Sequence, residues 1–467
     1  MLKFPDNFLW GTSVSAFQHD GSHDSNVDWY KWVTDKGNIA KGIVSGDLPE
    51  NGPDYWHLFR SDHTLAKSLG MNAFRFNIEW SRIFPKSTES VTVNVEKEGD
   101  RIINIEINDK ALQEMDVLAD KHAINHYSEL INDLQSKNLT IIACINHFTL
   151  PMWLNDPISA ERGWLDEKTI IEFAKYAKFL AWKFPEISRW ATINEPNVAV
   201  MGWLNIAGFP PAIYDYKKQR KCMVNLVHAH ARAYDAIKSV NDADVGIIYA
   251  VVPAYPLAEG DEDAAKLYDY QSNDWFLNAV VNGEFDRDFS GNSEDCSDLK
   301  GRTDWIGINY YSRAVVRRAD NDYEIMSNYG HNCQNNIVSA AGNPVSDFGQ
   351  EVYPEGFRKA ISIAAKYGKP IYITENGIAD AEDRLRSFYI ISHLQQLHKA
   401  IYRDRADVRG YFYWSLTDNY EWTKGFAMKF GLFAVNKKKE RLSRNSACIL
   451  SDIAKKNGIP SHLLEIL

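Results

Sequence analysis

The sequence predicts an α/β fold, a single closed (β/α)8 barrel with loop insertions. Three observations predict it. Eight short runs rich in β-branched and aromatic residues recur along the 467 residues, amphipathic stretches alternate with them, and polar or ionisable groups end seven of the eight.

The first strand, 8–17, opens on Phe-Leu-Trp. The second, 73–80, reads Ala-Phe-Arg-Phe-Asn-Ile-Glu-Trp, and the third, 139–147, is nearly all apolar up to Asn146-His147. The fourth, 190–194, is short because Pro196 cannot continue a ladder, so the strand stops at Glu195. The fifth (245–251), sixth (305–310), seventh (371–374) and eighth (408–414) are apolar runs dominated by Val, Ile, Tyr, Phe and Trp. Near-continuous apolar runs suit strands buried on both faces, as in a parallel sheet under helices. Amphipathic helices are expected at 54–69, 126–136, 166–183, 225–240, 354–367 and 386–403. A longer irregular segment separates the fifth and sixth strands. Two polar stretches read as insertions after the second and sixth strands: 86–120, with the β-like runs Val91-Thr-Val-Asn-Val and Ile102-Ile-Asn-Ile-Glu-Ile, and 317–343; with them the chain, 1–467, reads as one domain.

Composition narrows the function. Lys and Arg total 52 against 62 Asp and Glu, a net charge of −10, which argues against a nucleic-acid partner. The longest apolar runs fall short of the ~18 residues of a membrane span. The start, Met1-Leu-Lys-Phe-Pro, lacks an apolar leader core, so the expected address is the cytoplasm. Five scattered Cys include no CxxC pair, which suggests neither a zinc ribbon nor a disulfide framework. His122 and His126 are four apart, but Ala123 follows the first, so the HExxH pattern fails; no metal and no cofactor are expected. The 14 Trp suit stacking on sugar faces, although most such rings build cores.

In a barrel of this kind chemistry gathers where the strands end. Two strand ends carry carboxylates: Thr192-Ile-Asn-Glu195-Pro-Asn and Ile373-Thr-Glu375-Asn-Gly, the latter with Gly377 permitting a sharp exit. They belong to the fourth and seventh strands, which face each other across the mouth. Two carboxylates meeting there suit glycoside hydrolysis, one as acid and one as nucleophile or base. The competing reading is that each Glu caps a helix start.

These two motifs resemble the signatures of glycoside hydrolase family 1, the β-glucosidase/β-galactosidase family. So do Phe8-Leu-Trp-Gly-Thr-Ser-Val-Ser-Ala-Phe-Gln18, Phe74-Arg75-Phe-Asn-Ile-Glu-Trp80, Asp304-Trp-Ile-Gly-Ile-Asn-Tyr-Tyr311 and Tyr413-Trp414-Ser-Leu-Thr-Asp-Asn-Tyr-Glu421-Trp422. The 86–120 insertion, Asp28-Trp29 and Ser45-Gly-Asp-Leu-Pro-Glu look closest to the archaeal β-galactosidase/β-glucosidase subgroup. Phe148 stands where the family usually has Trp, and His19-Asp20 where the subgroup tends to have Glu.

The resemblance implies a TIM-barrel, cofactor-free, retaining exo-β-glycosidase acting on terminal β-D-galactosides and β-D-glucosides by double displacement. Glu375 attacks and Glu195 is the acid, then the base. Arg75 holds Glu375 ionised and Tyr311 donates to the same carboxylate. Asn194 binds the 2-hydroxyl, Gln18, His147, Glu421 and Trp422 read the others, Trp414 floors the sugar and Trp29 borders the aglycone. Partners would be small-molecule β-glycosides and oligosaccharides, with a homo-oligomer, a tetramer by analogy. The rivals are a 6-phospho-β-glycosidase, for which Lys424 speaks, a transglycosidase, and a barrel that only binds glycans.

Overall fold

Eight parallel strands close a barrel: β1 (Leu9–Ser13), β2 (Ala73–Asn77), β3 (Thr140–Asn146), β4 (Arg189–Asn194), β5 (Asp244–Ala250), β6 (Trp305–Tyr310), β7 (Ile371–Asn376) and β8 (Val408–Trp414). Each pairs with its sequence neighbour, and β8 closes on β1 from Gly410 opposite Leu9 to Trp414 opposite Ser13. The computed structural model describes all residues except 22–24, 160–161, 321 and 334–336. Part of the 317–343 insertion therefore lies outside the described residues.

Ala73, Ile142, Cys144, Ala191, Ile248, Trp305, Tyr372 and Phe412 form a buried cluster drawn from seven of the strands, so the barrel interior is packed. A helix follows each strand: α1 (Tyr55–Ser68), α2 (Lys121–Ser136), α3 (Glu167–Lys183), α4 (Tyr216–Lys238), α5 (Glu262–Asp269), α6 (Pro354–Ala365), α7 (Arg386–Tyr402) and α8 (Asn445–Lys456). Asp120, Asp166 and Asp215 cap α2, α3 and α4 by accepting first-turn backbone N–H groups. No helix among the described residues is long and apolar enough to cross a membrane.

Several sequence expectations need correction. β1 stops at Ser13 and β2 at Asn77, earlier than residues 17 and 80. The chain turns there into two short helices, Ala16–His19 and Trp80–Ile83, whose side chains are almost all buried, so apolar character persists after the ladder has ended. The long stretch between β5 and β6 is irregular only in part: α5 runs on through π-turns to Asn282, and turns with one pair of two-residue strands fill 283–304. α8 was not anticipated at all. The β-like character of the 86–120 insertion holds, since Asn94–Glu98 pairs with Arg101–Glu106 as a hairpin; the helix Asp109–Leu118 that follows is an addition to it. After β6, Ala314–Ala319 pairs with Asp322–Ile325 and with Ala254–Pro256.

The barrel ladders are irregular on three strands, and beside a break between Ile371 and Tyr372 at the start of β7 the breaks lie near the strand ends. Register breaks fall between Ala191 and Asn194 of β4, between Ile308 and Asn309 of β6, and between Ile373 and Asn376 of β7. Such breaks re-aim side chains at barrel rims. Here they precede or bracket the polar residues that end those strands.

Candidate active site

Glu195 sits one residue past β4, with φ at 50°. A non-glycine residue in the left-handed region is strained and persists only where its surroundings hold it. Two restraints do so: its N–H donates to Ile248 O at 2.8 Å, and Pro196 starts the short helix Pro196–Ala199. Glu195 is thus the residue before a helix, as the capping alternative requires, but its side chain makes no cap hydrogen bond. The carboxyl instead accepts from Asn309 Nδ2 at 2.7 Å.

Glu375 lies within β7, since the strand runs to Asn376. Gly377 is needed for close approach, not for a turn: a Cβ there would stand 1.8 Å from Trp414 O. The Glu375 carboxylate is 4% exposed and holds two donors. Arg75 Nη1 reaches Oε1 at 2.5 Å and Tyr311 OH reaches Oε2 at 2.7 Å.

One hydrogen-bonded chain joins the two carboxyls. Arg75 Nη2 donates to Asn194 Oδ1 at 2.7 Å, and Asn309 Nδ2 donates to the same oxygen at 3.1 Å as well as to Glu195. Thr374 Oγ1 in turn donates to Asn309 Oδ1 at 2.7 Å. Asn194 Nδ2 lies 3.4 Å from His147 Nε2. Burial, with Arg75 nearby, keeps the His147 ring neutral far below its ordinary range.

The two carboxyls sit in opposed environments. Burial first, and then the negative charge of Glu375, push Glu195 up to about 8 against the opposing pull of Asn309 and Arg75. Glu375 instead faces a guanidinium and a phenol donor.

A second polar group flanks this pair. Glu421, past β8, accepts from Asn419 Nδ2 at 2.7 Å and Gln18 Nε2 at 3.1 Å. Burial pushes it up to about 7, with those two donors opposing and Glu375 adding to the rise. Gln18 is on the helical turn after β1, fixed by Ser15 Oγ at 2.7 Å and by its own carbonyl accepting from Tyr420 N at 2.9 Å. The aromatic wall completes the group. Trp414 ends β8 and lies parallel to His147 at 6.0 Å. Trp422 stacks on Phe17 at 5.5 Å and touches Phe148 at 5.0 Å. Trp29 packs on Trp422 at 4.5 Å and is 3% exposed. Trp29 and Phe148 also line a small cavity of about 60 Å3 with Trp164, Trp203 and Phe209.

Every candidate catalytic, sugar-binding and supporting residue belongs to this region, whereas His122 and His126 lie on α2. Asn309 is named by the sequence only as a polar end of the sixth strand, with no role, and Thr374 and Asn419 are given no role either; each orients a carboxyl or its neighbour. Asn309 had a signal, as a polar residue at the end of β6; Asn419 and Thr374 had only their proximity to Glu421 and Glu375.

The family model of glycosyl hydrolase family 1 matches residues 1–99 and 118–459. The chain belongs to that family. This family 1 chain is a glycoside hydrolase, and the stretch left unmatched, 100–117, holds part of the hairpin and most of the helix of the 86–120 insertion. It is 44% identical over 480 residues to a β-galactosidase of Saccharolobus solfataricus, covering 99% of this chain and 97% of that protein. Its fold is similar to the β-glycosidase of Thermosphaera aggregans, with a TM-score of 0.95, 42% identity and 99% of each chain covered. It is also similar to a β-glucosidase mutant described as derived from a hyperthermophilic tetrameric structure, with a TM-score of 0.92, 41% identity, and 99% and 98% covered.

Proposed function

We propose that the protein is a retaining exo-β-glycosidase that cleaves terminal non-reducing β-D-galactosides and β-D-glucosides, with residues 1–467 as one catalytic domain. One observation carries this reading: two buried carboxyls stand at the ends of β4 and β7 in different surroundings, Glu195 pushed up to about 8 and so protonated near neutral pH, and Glu375 facing the donors Arg75 and Tyr311.

In the first step a Glu375 oxygen attacks the anomeric carbon while the bond from that carbon to the leaving oxygen breaks. Glu195 gives its proton to the leaving oxygen, and a glycosyl ester of Glu375 forms. Esterification removes the Glu375 charge, one of the causes that hold Glu195 up. Glu195, now a carboxylate, takes a proton from water as that water attacks the anomeric carbon, and the ester breaks with overall retention.

Asn194, oriented by Arg75 and Asn309, offers its amide to the sugar 2-hydroxyl. Glu421, Gln18 and His147 read the remaining hydroxyls with Trp422 beside them, and Trp414 supplies an apolar floor. Trp29 borders the aglycone side. Because a carboxylate accepts from axial or equatorial O4, both galactosides and glucosides fit.

The 6-phospho-β-glycosidase alternative is disfavoured by the same group. A phosphate at the Glu421 side would meet a carboxylate, while Lys424 is exposed. Transfer to a sugar acceptor in place of water remains a side reaction of the same ester. Five unpaired cysteines suit a reducing, cytoplasmic compartment, and likeness to a protein described as tetrameric in origin supports a homo-oligomer.

The test is Glu375→Ala with added azide. The unrescued variant should be inactive; azide should restore turnover and give an α-glycosyl azide, while the wild type first releases the β-sugar. Wild-type activity without azide, or an initial α-sugar from the wild type, overturns the reading.

A further inference from the structure

Tyr311 donates to Glu375, yet it lies in a stretch with no ladder of its own. β6 ends at Tyr310 and the next strand starts at Ala314. What fixes residues 311–313 is a single segment nearly forty residues further on. Tyr310 OH donates to Tyr353 O at 2.6 Å and Ser312 Oγ to Glu351 O at 2.7 Å. Arg313 donates to the Glu351 carboxylate through Nε at 2.9 Å and Nη2 at 3.0 Å. Both residues beside Tyr311, and Arg313 after them, are thus tied to 351–353.

Glu351 is the centre of this arrangement. It is fully buried, and its carboxylate also accepts from Ser339 Oγ and Asn343 Nδ2 at 2.7 Å and from Gly330 N at 2.9 Å. A buried carboxylate without partners would be costly; this one has five donors, including a bidentate guanidinium. The Arg313 guanidinium lies 3.6 Å over the Tyr353 ring. Gly330, at φ +55°, packs so closely that a Cβ would meet Arg313 O at 1.8 Å. Described residues of the loop after β6 gather around one side chain; that side chain grips the Arg313 guanidinium, two residues past Tyr311, while the Glu351 backbone carbonyl holds Ser312.

We propose that Glu351, through Arg313 and Ser312, is a positioning residue that holds the Tyr311 hydroxyl on Glu375. The proposal rests on the reading of Glu375 as the attacking carboxylate. Glu351 touches no reacting atom; its effect on turnover passes through Tyr311.

This role makes a signed statement about pH. Loss of a donor disfavours the ionised form of the carboxylate it serves. If the clamp is broken, the acid limb of the kcat/KM profile moves to higher pH. A direct charge effect would do the opposite, since removing the negative Glu351 favours ionisation nearby. The charged and titratable groups facing Glu375 are Arg75, Glu195, Tyr311, Glu421 and Cys144, and Glu351→Gln leaves all five in place.

The experiment compares Glu351→Gln, Tyr311→Phe and the double variant. Glu351→Gln should lower kcat about tenfold or more with KM less affected, and raise the acid limb by about 0.5 pH unit or more. Tyr311→Phe should raise it as well, and adding Glu351→Gln to Tyr311→Phe should move it no further, because both act through one hydroxyl. Should Glu351→Gln fail to fold, Ser312→Ala, which removes one tie only, carries the same comparison with a smaller shift. A limb that moves in Tyr311→Phe but not in Glu351→Gln or Ser312→Ala, or shifts that add in the double variant, overturns the clamp alone. A limb unmoved by Tyr311→Phe overturns the role given to Tyr311 and the clamp with it, and the azide rescue of Glu375→Ala then shows separately whether Glu375 attacks.

Discussion

Arg75 donates to Glu375 at 2.5 Å, and both side chains are buried, at 1% and 4% exposure. The same guanidinium holds Asn194 with its other arm. One residue therefore holds both the Glu375 carboxylate and the amide of Asn194. Arg75→Gln leaves a buried carboxylate without its cation, which typically costs about 3–5 kcal/mol. The variant should unfold at clearly lower denaturant, and kcat/KM should fall at least ~100-fold. Arg75→Lys keeps the charge but not the fork, so it should recover stability more than activity. Equal recovery of both would show that Asn194 needs no holding.

Glu195 is pushed up to about 8, so the proton it must donate is present at neutral pH and lost above that value. The alkaline limb of kcat/KM is expected near pH 8. In Glu195→Ala that limb should vanish. A dinitrophenyl glycoside, whose leaving group needs little protonation, should still form the glycosyl ester, and a burst should precede slow release. An alkyl glycoside should lose far more, about 100-fold or greater. Equal losses on both substrates would remove Glu195 from the acid role.

Asn309 donates to Glu195 and so favours its ionised form. Asn309→Ala should therefore move the alkaline limb of kcat/KM to higher pH. The sign follows from the hydrogen bond: with one donor gone, the proton is held more tightly. Release of the glycosyl ester, which needs the carboxylate, should slow, and pre-steady-state kinetics with an activated substrate separates the two steps. A limb that moves down would show that Asn309 acts mainly through Asn194.

Glu421 distinguishes neutral from phosphorylated sugars. A phosphate beside it would leave two anions partly desolvated, so 6-phosphates should be at least ~100-fold poorer than galactosides and glucosides. Glu421→Ser should lower kcat/KM for the neutral sugars and narrow that gap. Relative kcat/KM on p-nitrophenyl glycosides and their 6-phosphates measures both.

The fold was legible in the sequence because its signals are local. Apolar β-branched runs mark strands wherever both faces are buried, and β3 to β8 lie where those runs lie. The strands expected to residues 17 and 80 overrun Ser13 and Asn77 because apolar character continues into the buried helical turns that follow, and pattern alone does not separate a strand from the short helix after it. α8 passed unnoticed because its 12 residues, Asn-Ser-Ala-Cys-Ile-Leu-Ser-Asp-Ile-Ala-Lys-Lys, hold few strong apolar anchors.

By itself the sequence determined the eight strands, the placement of Glu195 and Glu375 at their ends, and the kinship that names the reaction class. The tertiary structure alone decided how the groups are joined. Arg75 meets a partner 300 residues away, Gln18 one 403 residues away, and Asn309 one 114 residues away. No local pattern encodes such contacts, because barrel closure and register breaks bring those ends together. The same holds for Glu351: in the sequence it is one acidic residue among 62 Asp and Glu, and only the folded loop shows that its carboxylate has five donors. Burial pushes Glu195 up, and only Glu375 faces Arg75 and Tyr311; both the burial and those partners are properties of the closed barrel mouth, not of either motif.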